Sequence, residues 1–298
     1  MNILITGATG LIGQELCKFL VNRNTLTILT RSEVKARQVL PQNARFVSQL
    51  TDIDFNELDI VINLAGEPIA DKRWSDKQKE AITSSRVGLT EQIAQQINAA
   101  STPPHTFISG SAIGFYGRQA ADVTVDENFD KPFNEFSHQL CKDWENAALS
   151  AKSEQTRVCL LRTGVVLSRH GGALKKMLPA FSWGMGGPMG SGDQIMSWIH
   201  IDDMIQLILF LIKHTELEGA FNATAPNPVS NKEFSDCLAN VLNRPAFLWL
   251  PESFLKWAFG EMSDILIYGQ KVIPQKALNA NYRFRYTSLE EALKQIMH

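Results

Sequence analysis

The fold is decided by the first stretch of the chain, Met1-Asn-Ile-Leu-Ile-Thr-Gly-Ala-Thr-Gly-Leu-Ile-Gly13. Ile3 to Ile5 form a short apolar run, and the Gly- and Thr-rich residues after it cannot continue a strand. From Leu11 to Leu20 apolar residues then recur at helical spacing. A strand, a glycine turn and a helix in this order predict a pyrophosphate site, because a helix N-terminus offers free backbone N–H groups and a favourable dipole.

The glycines are spaced Gly7-x-x-Gly10-x-x-Gly13, which differs from the common Gly-x-Gly-x-x-Gly fingerprint. The physical roles of the glycines are the same at this spacing: Gly7 makes the turn, Gly10 lets phosphate approach, and Gly13 lets the helix pack closely. A turn with incidental glycines is the alternative. The residues expected to line a dinucleotide here are Thr6, Gly7, Thr9, Gly10, Leu11, Ile12 and Gly13.

The composition is that of an ordinary globular protein, with 298 residues, 44% hydrophobic and 20% charged. This length suits one large α/β domain with a smaller appendage. A formal net charge of −2 gives no general attraction to nucleic acid or to an anionic membrane. The chain begins directly with its first strand, and its longest apolar run, near 204–212, is too short to span a bilayer.

Four scattered cysteines without a C-x-x-C motif indicate reduced packing residues of a cytoplasmic protein. Six histidines show no paired ligand spacing, so we expect no metal site.

The residues after the second strand, Leu26 to Thr30, decide the expected cofactor. NAD sites place an acidic residue near this point to bind the ribose 2′-OH, whereas an Arg suits a 2′-phosphate. This chain has Arg31 and Ser32 there. We therefore predict NADP(H), with both residues at the phosphate. The alternative is that Arg31 is a solvated charge for which Glu33 competes.

Further strands and helices alternate along the chain. Ala44 to Ser48 is a weak third strand, and the almost unbroken apolar run from Leu58 to Gly66 is typical of a parallel strand buried on both faces. Ser75 to Ala100 is expected to be helical, and His105 to Ser109 is the fifth strand. The pattern predicts a doubly wound parallel sheet of the Rossmann type, whose ligand lies beyond the C-terminal ends of the strands. There the backbone against the cofactor would be that of Leu64, Ala65 and Gly66.

The last two sheet strands are expected at Arg157 to Val166 and at Gly219 to Asn222. We therefore expect an NADP-binding Rossmann domain at 1–166, completed by 197–225. The segments 167–196 and 226–298 would form a smaller, mostly helical substrate lobe.

Within that lobe we expect helices at 231–242, from Pro251 onward and at 288–297, and an edge strand at 282–286. Its aromatic residues are expected to supply the lobe's core, whereas an exposed aromatic patch would indicate a partner surface. These residues are Phe247, Trp249, Phe254, Trp257 and Phe259.

Five motifs follow one another along the chain: Thr6-Gly-x-x-Gly-x-x-Gly13, Asn63-Leu-Ala-Gly66, Ser109-Gly-Ser111-Ala with Tyr116-Gly117, Leu161-Arg162, and Trp198-Ile-His-Ile-Asp-Asp203. Together they resemble the extended short-chain dehydrogenase/reductase superfamily of the NAD(P)-dependent epimerase/dehydratase type, over about residues 1–225. A second set resembles an atypical epimerase-family subgroup with its own C-terminal domain, over nearly the whole chain. This set is Gly66-Glu-Pro-Ile69, Arg73-Trp74, Ser85-Arg86, Trp144-Glu145, Gly269-Gln-Lys-Val-Ile-Pro274, Tyr282-Arg-Phe-Arg-Tyr286 and Ala292-Leu293.

The resemblance implies a catalytic Tyr, with a Lys four residues later, on the helix after the fifth strand. The matching segment, Phe136 to Glu145, contains no Tyr. If the register follows Lys142, His138 replaces the Tyr and could shuttle protons near neutral pH. If it follows Glu145, Ser137 and Cys141 occupy the two positions. We favour the second register, because Trp144-Glu145 also belongs to the closer subgroup.

The remaining candidates also follow from the resemblance. Ser111 matches the hydroxyl that orients substrate, and Arg86 stands where the superfamily often has an Asn near the cofactor, with Ser109 also at the cofactor. Tyr116 is a candidate acid or a buried aromatic plug. The plainer alternatives are a turn residue for Ser111, a solvated charge for Arg86 and a surface histidine for His138.

The sequence therefore predicts an NADP(H)-dependent oxidoreductase or an epimerase-like enzyme. Its substrate would be a small polar molecule, nucleotide-linked molecules included, held between the two lobes. The alternative is a protein that binds NADPH without catalysis and reports its level to a partner through the C-terminal lobe. The sequence leaves the oligomeric state open.

Overall fold

A seven-stranded parallel sheet is the centre of the computed structural model, which describes residues 1–297. The strands stand in the order β7-β6-β5-β4-β1-β2-β3, and every neighbouring pair is parallel. The expected doubly wound sheet is confirmed. The strands are β1 Asn2–Thr6, β2 Thr25–Leu29, β3 Arg45–Val47, β4 Ile60–Asn63, β5 Thr106–Ala112, β6 Arg157–Thr163 and β7 Gly219–Ala223.

Helices cover both faces of the sheet and make up most of the C-terminal lobe. They are α1 Leu11–Leu20, α2 Glu33–Val39, α3 Asp76–Thr83, α4 Leu89–Ala99, α5 Phe136–Leu149, α6 Gly172–Ser182, α7 Ile201–Lys213, α8 Asn231–Leu242, α9 Glu252–Phe259, α10 Asp264–Ile267, α11 Gln275–Asn279 and α12 Leu289–Met297. The single helix expected over 75–100 is divided. A π-helical turn, Ser84–Gly88, separates α3 from α4 and carries Arg86.

Side chains of successive residues in the central strands pack on opposite faces of the sheet. Ile3 and Ile5 of β1 belong to one core cluster, together with residues of α1 and α7. Leu4 belongs to the other cluster, which includes Ile93 of α4 and Ala148 of α5. Burial on both faces explains why these strands read as continuous apolar runs.

Three short strand pairs lie outside the main sheet. Val165–Leu167 pairs with Trp198–His200, Ile195–Met196 pairs with Val229–Ser230, and Thr124–Val125 pairs with Lys271–Val272. The last pair ties the long loop after β5 to the C-terminal part of the chain.

The edge strand expected at 282–286 is wrong, because that segment has no strand partner within residues 1–297. The Asp203 carboxylate accepts the backbone N–H groups of Arg285 and Tyr286 at 2.8 and 2.9 Å. The Tyr282 hydroxyl donates to the Asp203 carbonyl at 2.9 Å. A side chain of α7 thus provides the hydrogen bonds that a strand ladder would otherwise provide.

The core of the lobe differs from the expected one. It is built around Trp198, Phe181 of α6, Phe234 and Leu238 of α8, and Leu293 of α12. The five aromatic residues expected there all lie at the surface. Their predicted burial is therefore wrong: the packed helices α6, α8 and α12 fill the core without them. Within residues 1–297 no helix is both long and apolar enough to cross a bilayer.

Candidate cofactor and active site

Gly7 holds the turn between β1 and α1 against the end of β4. Its φ is +68°, and a Cβ there would lie 2.4 Å from the carbonyl carbon and oxygen of Leu64. Only glycine accommodates both the conformation and the contact. The turn therefore lies where the strand order reverses between β1 and β4, which is the usual ligand crevice of such sheets.

The other two glycines differ in what surrounds them. A Cβ on Gly13 would lie 2.5 Å from the Cα of Ala8 and from the carbonyl oxygen of Gly7, so Gly13 lets α1 pack on the turn. A Cβ on Gly10 would meet a single atom, the Gly7 oxygen at 3.2 Å. Gly10 is the N-cap of α1, and no side chain caps that helix. The first N–H groups of α1, at Leu11 and Ile12, are consequently open to an incoming anion.

Arg31 follows β2 and is exposed. Within residues 1–297 its guanidinium makes no hydrogen bond or ion pair, because Glu33 instead lies 3.6 Å from Arg37. Glu33 was expected to compete with a phosphate for Arg31, but it pairs with Arg37 instead. Ser32 is the N-cap of α2 and accepts the Lys35 N–H at 3.5 Å.

The Arg86 side chain packs against the backbone that follows β4 and is not a solvated charge. Its Nη1 donates to the Glu67 carbonyl at 2.9 Å, and its guanidinium lies 5.4 Å from the ring centre of Trp144. A Cβ on Gly66 would approach the Arg86 Cζ to 2.9 Å, so the glycine makes room for it. Burial lowers the pKa of Arg86, but an arginine remains charged.

A buried chain of polar side chains supports this end of the sheet. The Thr6 hydroxyl donates to Asn63 at 2.5 Å, and the Asn63 amide donates to the Thr90 hydroxyl at 2.8 Å. The Trp144 indole also donates to Thr90, at 3.0 Å. Asn63 was not among the predicted site residues, although a polar side chain at the end of an apolar strand is a signal for a buried hydrogen bond.

Two residues expected at the cofactor are turned into the interior. Thr6 is buried and uses its hydroxyl on Asn63. Ser109 is also buried and donates to the neighbouring Gly110 carbonyl at 3.2 Å. Their hydroxyls are therefore engaged inside the protein, and the predicted role of both residues at the cofactor falls to their backbone.

A second buried network crosses the sheet from β5 to β7. The Ser111 hydroxyl donates to Glu145 Oε1 at 2.7 Å, and Arg162 donates to both oxygens of Glu145 at 2.8 Å. Arg162 Nη1 also donates to the Tyr116 hydroxyl at 2.9 Å, which in turn donates to Asn222 at 2.7 Å. Arg162 and Asn222 were not among the predicted site residues, although Arg162 ends an apolar strand.

Tyr116 is a buried aromatic residue of the core and not a catalytic acid. Its side chain is fully buried, and its hydroxyl is held between Arg162 and Asn222. Burial raises the pKa of Tyr116 to about 12, although the Arg162 charge opposes the shift. The candidate role as a proton donor to substrate is corrected, because the hydroxyl has no access to a ligand. Ser111, in contrast, gives its proton to Glu145 and keeps lone pairs that can accept a hydrogen bond.

Ser137 and Cys141, which replace the Tyr and Lys in one of the two registers, both pack against Gly114. Both are buried, and a Cβ on Gly114 would lie 3.2 Å from the Ser137 Cβ and 3.5 Å from the Cys141 sulfur. Lys142 is exposed. Burial raises the pKa of Cys141 to about 12, so its thiol stays neutral and cannot supply the charge of a lysine.

His138 lies on the same helix and is buried, so the surface-histidine alternative is wrong. Its Nδ1 lies 2.5 Å from the Phe115 carbonyl oxygen. Because a carbonyl only accepts, Nδ1 carries the proton, and Nε2 of the neutral ring is an acceptor. Of the predicted catalytic residues, His138 keeps a nitrogen that can exchange protons.

The family comparisons agree with this geometry. Residues 3–223 match the model of the NAD dependent epimerase/dehydratase family, and residues 250–296 match a domain of unknown function, DUF1731. A chloroplastic SDR39U1 homologue of Arabidopsis thaliana is 38% identical, over 100% of this chain and 87% of its own length. The SDR39U1 epimerase family protein of Mus musculus is 34% identical over the full length of both chains.

Solved structures extend the comparison. The crystal structure of the human epimerase family protein SDR39U1 with NADPH is 32% identical, covers 99% of each chain and has a TM-score of 0.91. The UDP-glucose 4-epimerase of Thermotoga maritima is 17% identical with a TM-score of 0.78, a likeness of fold alone. The chain therefore belongs to the NAD dependent epimerase/dehydratase family, within a group of SDR39U1-like proteins that add their own C-terminal domain.

Proposed function

We propose that the protein binds NADP(H) at the turn between β1 and α1. The observation that carries this proposal is Arg31, which is exposed and has no partner among residues 1–297, beside an open helix N-terminus at Gly10. The N–H groups of α1 would bind the pyrophosphate, and Arg31 with Ser32 would bind the 2′-phosphate. The human relative crystallised with NADPH supports this choice.

The rest of the cofactor would lie along the C-terminal ends of the strands. Thr9 is exposed at the turn. The backbone of Leu64, Ala65 and Gly66 continues the surface beyond β4, and Arg86 fixes its shape from below. In this proposal residues 1–166 and 197–225 hold the cofactor. The segments 167–196 and 226–298 provide the opposite wall of a substrate cleft.

We further propose that the protein is an oxidoreductase or an epimerase-like enzyme acting on a small polar substrate. NADP(H), when bound, supplies or accepts the hydride. Ser111 would accept a hydrogen bond from a substrate hydroxyl, because its own proton is committed to Glu145. His138 Nε2 would exchange the substrate proton, because its Nδ1 is fixed by Phe115.

A second candidate function is a sensor that binds NADPH without turnover. The observation in its favour is that the helix from Phe136 to Glu145 contains no Tyr, and that Cys141, which stands at the Lys position in one register, is neutral. A sensor would need the cofactor site but no proton-transfer group.

A single-turnover experiment separates the two functions. The protein with bound NADPH is mixed with a panel of carbonyl compounds and nucleotide sugars, and the nicotinamide absorbance is followed. An oxidoreductase oxidises the cofactor with at least one compound. An epimerase takes the hydride onto bound NADP+ and returns it to the same sugar, so the panel is repeated with NADP+ and the sugars are analysed for inversion. In either case His138→Asn slows the reaction by about a hundredfold while cofactor affinity is kept. Cofactor that is bound, with neither net oxidation nor inversion of any compound, supports the sensor and contradicts the enzyme.

A further inference from the structure

An unusual group of large apolar side chains is exposed on the C-terminal lobe. Trp183 is 79% exposed, Trp257 74%, Phe247 73%, Trp249 58%, Met185 55% and Phe254 45%. We call these six residues the aromatic face. Single exposed apolar residues are common, but such a concentration of Trp and Phe is typical of an interaction surface.

Most of the aromatic face lies on two segments that run side by side. Leu248 N–H donates to the Gly186 carbonyl at 3.2 Å, and Leu250 N–H donates to the Pro188 carbonyl at 3.0 Å. The Trp249 indole donates to the Gly190 carbonyl at 2.6 Å. The second segment then leads directly into α9, where the rings of Phe254 and Trp257 are 6.0 Å apart.

The backbone beneath the aromatic face is packed too closely to be a loose loop. A Cβ on Gly187 would lie 2.0 Å from the Leu248 carbonyl oxygen, and one on Gly186 would lie 2.4 Å from the Phe181 ring. Both glycines are therefore needed for the two segments to pack on each other and on α6. The face is preformed, which reduces the entropy that a partner must overcome on binding.

The charge of this surface constrains the partner. Residues 183–190 and 245–260 contain one acidic and one basic side chain, Glu252 and Lys256, which form an ion pair at 2.6 Å. The two segments have no net charge to attract nucleic acid or acidic lipid. Two identical copies of the face would meet without repulsion between like charges.

The area of the face agrees with a self-association surface. An aromatic side chain covers roughly 150–250 Å² when buried, so the exposed fractions leave on the order of 700 Å² to solvent. Taken together, this area is close to the roughly 800 Å² per partner of a standard interface. We propose that the aromatic face joins two copies of this chain in a two-fold symmetric dimer.

Sedimentation equilibrium over a wide range of protein concentrations tests the dimer. We expect the wild type to be dimeric at micromolar concentration. The double variant Trp183→Ser with Phe247→Ser should raise the dissociation constant at least a hundredfold, because aromatic anchors dominate interfaces and each counts twice in a two-fold dimer. Phe19→Ser is the matched control, because Phe19 is 52% exposed on α1, far along the chain from this face.

NADPH binding by each variant checks that it is folded, and the dimer itself does not depend on the proposed function. A wild type that stays monomeric at all concentrations would overturn the proposal. A dimer that persists in the double variant would also overturn it, by assigning self-association to another surface. Monomeric wild type that co-sediments with neutral phosphatidylcholine vesicles would show that the face binds lipid instead.

Discussion

Glu145 of α5 and Arg162 of β6 form a bidentate ion pair inside the protein, with both N–O distances at 2.8 Å. Both side chains are almost completely buried. The pair positions Ser111 through Glu145 and Tyr116 through Arg162. It therefore connects the candidate active site with the buried core between β5, β6 and β7.

Breaking this pair is expected to be costly, because the remaining charge would be buried without a partner. We expect Arg162→Met to lower the free energy of unfolding by roughly 3–5 kcal/mol, measured by urea denaturation. Lys152→Met removes an exposed pair with Glu218 at 2.7 Å, and should change stability by about 1 kcal/mol or less. Equal losses in the two variants would contradict a special role for the buried pair.

Substitutions of two glycines in the first turn should have different effects, one on stability and the other on NADPH binding. We expect Gly7→Ala to destabilise the protein by about 3 kcal/mol or more, because it combines a positive φ with a severe backbone contact. Gly10→Ala should cost about 1 kcal/mol or less, because its Cβ meets one atom at 3.2 Å. It should nevertheless weaken NADPH binding at least tenfold.

Thermal unfolding and NADPH titration of both variants check this prediction. Normal NADPH affinity in Gly10→Ala would place the pyrophosphate elsewhere. A fully stable Gly7→Ala variant would contradict the close contact with Leu64.

His200 should make stability depend on pH. Its Nδ1 accepts the Asp202 N–H at 3.0 Å, and its Nε2 lies 2.8 Å from the Gln295 side-chain oxygen, so both nitrogens are satisfied in the neutral ring. Burial lowers the pKa of His200 below 6.5, although the carboxylates of Asp202 and Asp203 oppose the shift and Arg285 adds to it. The unfolded chain therefore binds this proton more readily than the folded protein.

Stability that is present above pH 6.5 should consequently be lost as the pH falls below that value. His200→Asn keeps an N-cap acceptor for α7 but removes the titrating ring. We expect the wild type to lose more stability than this variant on acidification, measured by urea denaturation at each pH. Parallel curves for the two proteins would show that His200 does not contribute.

The sheet could be predicted because its strands are buried on both faces and leave a plain signal. The apolar run that ends at Asn63 needs no distant information to be identified as a central strand, and the glycine turn is marked by the order of strand, glycines and helix within residues 1–20. The same holds for α8, whose Ser230–Glu233 capping box fixes its start at Asn231.

The inward orientation of Tyr116 could not be predicted in this way. Its partner Asn222 lies 106 residues further along the chain, so tertiary packing determines whether the Tyr116 side chain is buried or faces a ligand. The π-helical turn around Arg86 likewise depends on its contacts with Glu67 and Trp144. For the aromatic residues of the lobe, hydrophobicity indicates that the side chain tends to be buried. It does not indicate whether the side chain is buried in the core of its own chain or against another molecule.

Arg31 is proposed to direct the site toward NADP(H), and a titration of wild type and Arg31→Ala with NADPH and NADH tests this role. A charge-assisted bond to phosphate contributes roughly 1.5–3 kcal/mol, so the variant should bind NADPH at least about tenfold more weakly. NADH affinity should not change, and Arg37→Ala, which removes the neighbouring arginine paired with Glu33, should behave as wild type. Equal NADPH affinity in wild type and Arg31→Ala would show that Arg31 does not bind the 2′-phosphate.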